Sequence, residues 1–127
     1  MSLTNINADL LDLEKRLNAL SQTYPVLAAE AATAKINYEL AEANALDAIA
    51  HEVTVQQAED PKYKPTDPLK AAWATQRCTD ELREYLNTKA AEAGAKAQLE
   101  VLQAILTSVQ TRTKIETLDS QMIRAQV

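Results

Sequence analysis

A chain of 127 residues with 18 acidic and 13 basic side chains, net −5, is long enough for one domain and argues against wholesale nucleic-acid binding. One glycine, four prolines and no phenylalanine, in an alanine-rich chain, describe helix-forming chemistry, because alanine loses no side-chain entropy in a helix and glycine would add hinges and turns. Aromatics at 4% leave few anchors for a compact core, so an elongated shape is expected, and the single cysteine excludes an intrachain disulfide and a cysteine zinc site.

From the N-terminus, one stripe dominates. Leu3, Ile6, Leu10, Leu13, Leu17, Leu20, Tyr24, Leu27, Ala31, Ala34, Tyr38, Ala41, Ala45 and Ala48 alternate steps of three and four, and every one is apolar. A 3.5-residue period asks for a partner helix rather than a broad globular core. The first arm is predicted over about residues 2–58. Pro25 interrupts it, since proline removes one helical hydrogen bond and crowds the carbonyl of Ser21, so a kink or a short break is expected at 21–25. The seam keeps its register across Pro25, which favours a continued direction over a reversal.

A second apolar face on the same arm, Val26, Ala29, Ile36, Leu40, Ala43, Ala50 and Val53, lies largely opposite the stripe. A helix that is apolar on two sides is buried on two sides. Next comes a bend at 60–68, where Pro61, Pro65 and Pro68 cannot continue a helix and Thr66 or Asp67 can cap a new one. The second arm is predicted over about 68–124. It carries one apolar row through Leu82, Leu86, Ala90, Ala93, Ala97, Val101 and Ala104, and another through Leu99, Leu102, Leu106 and Val109.

Two arms of near-equal length, each up to roughly 80–85 Å at ~1.5 Å per residue, give an all-α fold. It is a long antiparallel, coiled-coil-like helical hairpin in which facing residue numbers total roughly 127. Small residues then meet small residues near the bend, with Gly94 expected to permit close packing. One hairpin offers each arm a single partner, so a four-helix or larger bundle of several chains is expected. The expected oligomer interface comprises Leu10, Leu13, Leu17, Leu20, Val26, Ile36, Leu40 and Val53 of the first arm, with Leu99, Leu102, Leu106 and Val109 of the second.

The search for chemistry returns little. His51 is the only histidine, and with Asp47 four residues before it a surface ion pair is the plainer reading than half a metal site, since neither HExxH nor a di-iron carboxylate spacing is present. No nucleophile elbow and no glycine-rich phosphate loop occurs, Cys78 reads as buried filler, and the acidic clusters read as solvated helix faces. No catalytic residue, metal or cofactor is expected. Lys62, Tyr63 and Lys64 at the bend could meet a partner, and Trp73 is large enough to anchor either the bend or a partner. The absence of a basic-then-apolar leader pattern and of a ~20-residue apolar run gives the expectation of a cytoplasmic protein without membrane contact.

Tyr38-Glu39 in the first arm, Thr79 to Thr88, Lys96-Ala97-Gln98-Leu99-Glu100-Val101-Leu102-Gln103 and Leu106-Thr107-Ser108-Val109-Gln110 together resemble the small helical-hairpin proteins of tailed bacteriophages. That resemblance implies an accessory protein of the host-cell cytoplasm that acts by contact, and it transfers no functional residue. Two functions follow as expectations. One is a non-enzymatic oligomeric interaction protein that modulates a host or phage protein. The other is a recombination or packaging factor touching DNA through Lys62, Lys64, Lys70, Arg77, Arg112, Lys114 and Arg124. The charge is unevenly placed, residues 1–60 holding ten acidic and three basic side chains and 61–127 eight and ten, so opposite halves can attract each other and the acidic first arm would repel a nucleic-acid strand.

Overall fold

The computed structural model describes residues 3–125, with side chains from residue 7 onward. Residue 2 of the expected first arm, and the side chains of Leu3 and Ile6 in the stripe, lie outside what is described. Three helices follow in order, α1 Leu3–Glu59, α2 Asp67–Arg77 and α3 Thr79–Ala125, with no strand among the described residues. α1 and α3 pack against each other. No helix among the described residues is long and apolar enough to cross a membrane.

α1 runs 57 residues without a break, Pro25 included. Pro25 is exposed, so the carbonyl it leaves unpaired can be met by water, which is why the helix tolerates it. α1 stops where the prolines begin. The Asp60 carboxylate accepts from the Lys62 amide at 3.1 Å, the Tyr63 amide donates to the Asp60 carbonyl at 3.0 Å, and Gln57 Nε2 reaches back to the Tyr63 carbonyl at 2.9 Å. The bend thus satisfies its own polar groups and needs no residue at positive φ. Thr66 caps α2 by accepting from the Leu69 amide at 3.4 Å, with Pro68 in the first turn.

The second arm is not one helix. It is interrupted at Cys78, whose φ of −116° and ψ of 32° leave its amide shared between the carbonyls of Ala74 and Thr75. Side chains crowd the carbonyl groups around this break. Thr75 donates its hydroxyl to Ala71, Thr79 donates to Gln76, and the Cys78 thiol sits 2.7 Å from the Ala74 carbonyl. Such back-bonding competes with the helical ladder and bends it.

The chain divides into two units, the cuts falling between Val26 and Leu27 in α1 and between Glu92 and Ala93 in α3. Unit 2, Leu27–Glu92, holds Ala45, Ile49, Ala74 and Cys78 as a buried cluster, with Tyr38, Ala41, Val53 and Trp73 packed against it. Trp73 therefore serves as an anchor for the bend region, and Val53 spends part of its surface inside the chain. Full burial of a side chain such as Ile49, at 1% exposure, contributes about 1.5–3 kcal/mol. The stripe is correct through Ala45 and then moves: Ala48 is exposed and Ile49 takes the inward position, followed by half-buried Val53 and Gln57. Steps of four turn the contact row around α1, because a row repeating every four residues drifts ahead of a 3.6-residue turn.

Unit 1 comprises α1 up to Val26 and α3 from Ala93. Leu10, Leu13, Leu17 and Leu20 on α1, and Leu99, Leu102, Leu106 and Val109 on α3, are all half-buried. Ala95 is the one buried residue among those described in this unit. The seam of α3 here follows the row through Leu99, whereas Ala97, Val101 and Ala104 are exposed. Gly94 does not serve close packing within the chain, since a Cβ built on it would meet nothing within 4 Å.

Candidate functional site

A groove in unit 1 of about 610 Å³ is lined by Arg16, Ala19, Leu20 and Thr23 of α1 and by Ala97, Gln98, Val101 and Leu102 of α3. Each helix contributes one alanine, Ala19 and Ala97, and aliphatic Leu20, Val101 and Leu102 line it beside polar Arg16, Thr23 and Gln98. Arg16 at the rim is held by Asp12 one turn earlier at 3.2 Å. Val101 is 57% exposed, and Ile105, one turn on and on the same face, is 43% exposed. The groove offers mainly apolar surface, with Arg16, Thr23 and Gln98 as its polar groups.

Unit 2 presents polar features of a different kind. Arg77 forks onto Glu52, with Nη1 3.0 Å from Oε1, and this hydrogen-bonded guanidinium holds the Glu52 carboxyl below the usual carboxylate range. Tyr38 stacks on Tyr85, ring centroids 6.0 Å apart at 32°, and Lys89 Nζ lies 5.8 Å from the centre of the Tyr85 ring. The Glu42 carboxylate accepting from the Tyr38 hydroxyl, together with burial, pushes the Tyr38 pKa up to about 12. Burial pushes the Cys78 thiol up as well, with the acidic neighbours Glu81 and Glu42 acting in the same direction. A buried thiol held protonated is a poor nucleophile.

These contacts join residues that pattern reading left apart. The numbers of Glu52 and Arg77 total 129, and those of Tyr38 and Tyr85 total 123, both near the antiparallel register expected from the bend. That register, applied residue by residue, was the available signal. His51 and Asp47 are both exposed and form no ion pair with each other; the ion pair in this region is Arg77 with Glu52. No group of three or more potential metal ligands occurs among the described residues.

Of the expected interface, Val26, Ile36 and Leu40 are 55%, 56% and 59% exposed, whereas the four leucines of α1 and the Leu99 row are half-buried. Lys62 and Lys64 are exposed at the bend, and Tyr63 is half-buried with its backbone tied to Asp60 and Gln57. Among the other cations of the DNA reading, Lys70 pairs with Asp67 at 3.2 Å and Arg77 with Glu52. No family model, no curated protein and no solved structure matches the chain.

Proposed function

We propose that this chain is a non-enzymatic helical interaction protein that associates with itself and presents acidic surface to a basic partner protein. In the setting that the bacteriophage resemblance implies, it is an accessory factor of the cytoplasm. One observation carries the reading: aliphatic side chains on the outer faces of both long helices, Ile36, Leu40, Leu86 and Val101 among them, are more than half exposed. Scattered exposed leucines are ordinary, but rows that repeat at helical spacing opposite a packed seam are the pattern of helices with further neighbours. Unit 2 adds the charge argument, carrying twelve acidic and seven basic side chains.

The DNA reading draws less support, since two of its seven cations are already neutralised within the chain. Light scattering on the full chain at micromolar concentration tests the self-association, with a mass of two or more chains expected. A mass of one chain, 14.0 kDa, overturns it.

A further inference from the structure

We propose that self-association belongs to unit 1 alone: its groove receives the same segments of a second copy of this chain, while unit 2 stays outside the contact. This assignment rests on the self-association proposed above and says which surface performs it. Three observations lead there.

The first is incomplete burial. A seam shared by only two helices leaves each leucine half covered, and a second pair of helices laid into the groove would cover Leu20 and Leu102, the half-buried leucines that line it. The groove suits a helix, since Ala19 and Ala97 let a backbone approach while Val101 stands ready to fill the hole of a facing helix. An isologous contact also places this same patch, with its exposed Val101, on both copies.

The second is charge. Unit 1 holds six acidic and six basic side chains, so two copies meet without net repulsion. Unit 2, with twelve acidic and seven basic, would set five excess negative charges against five. Like-charge juxtaposition opposes association, which sets the exposed Ile36 and Leu40 of unit 2 apart as surface for a basic partner instead of a second copy.

The third is exposure. Val101 is 57% and Ile105 43% exposed on one face of α3 in unit 1, apolar surface that a second copy would remove from water.

The test compares Val101→Glu with Leu40→Glu in the full chain, by light scattering at micromolar concentration with helicity followed by circular dichroism. The inference expects Leu40→Glu to keep the wild-type mass and Val101→Glu to fall to a single chain with helicity retained. If Leu40→Glu dissociates and Val101→Glu does not, self-association stands and its assignment to unit 1 is overturned. If the wild type is itself a single chain, both fall together. Should Val101→Glu lose helicity, Val101→Ala and Leu40→Ala decide by the same mass measurement, and a lowered mass for Leu40→Ala alone overturns the inference.

Discussion

At Gly94 an added methyl group meets no heavy atom within 4 Å, so the helix bears the entropic cost of glycine with no packing return inside the chain. Gly94→Ala should therefore stabilise the fold by about 0.5–1 kcal/mol, read from the urea midpoint. Destabilisation would place another backbone against this position. Tyr38 makes an opposite kind of statement, through pH. Its pKa of about 12 in the fold lies above the ordinary 10.0, because Glu42 accepts from the protonated hydroxyl and burial disfavours phenolate. Below pH 10 both folded and unfolded chains keep the proton, and the contribution is fully present. Between pH 10 and 12 the unfolded chain ionises first, so stability falls as pH rises. Urea midpoints at pH 9, 10 and 11 should decline for the wild type, and Tyr38→Phe should remove part of that decline; equal slopes would contradict it. Neither residue was fully legible in the sequence. Tyr38 was placed on the seam by its spacing, but Glu42 one turn on is what sets its titration. Gly94, in a run of alanines, reads as a close-packing site only while the facing helix is assumed to touch that side.

Among the elements, α1 holds the sharpest local conflict, a proline carried inside a continuous helix. Proline in a helix interior costs about 3 kcal/mol relative to alanine, and its stiffness returns about 0.4–1 kcal/mol by restricting the unfolded chain. With Pro25 exposed and the helix intact on both sides, Pro25→Ala should raise stability by about 2 kcal/mol in chemical denaturation. No gain would mean that α1 turns at Pro25 in a way alanine cannot follow. The helix limits near Glu59 and Asp67 were legible because proline acts through its own ring and missing amide, independent of neighbours. The break at Cys78 was not, since no proline or glycine marks it; Thr75 and Thr79 bond backward there and the thiol is buried, but threonines bond backward within unbroken helix too, as at Thr54 and Thr107. The two rows of α3 show the same boundary. Both repeat at three and four, so periodicity states that two faces are apolar without saying which one meets α1, and the structure turns the Leu99 row inward.

For the molecule as a whole, burial is unequally shared. Among the described residues six of the seven buried ones, Ala31, Ala34, Ala45, Ile49, Ala74 and Cys78, belong to unit 2, and only Ala95 belongs to unit 1. Amides open by local unfolding with free energies that track how much packing is broken, so protection against hydrogen exchange should be greatest around residues 45–49 and 74–78. Unit 1, with half-buried leucines and no comparable cluster, should exchange faster when the chain is dilute. Concentration then separates intrinsic stability from assembly, because a partner that binds only the closed form adds protection by mass action, about 2.7 kcal/mol at one hundred times the dissociation constant. Raising the protein concentration should slow exchange at Leu13, Leu17, Val101 and Leu102 while leaving the cluster around Ile49 unchanged. Equal protection in both units at high dilution would contradict the burial argument. A concentration-dependent slowing confined to residues 36–40 would move the self-association surface to the acidic unit, against the charge that its twelve carboxylates carry.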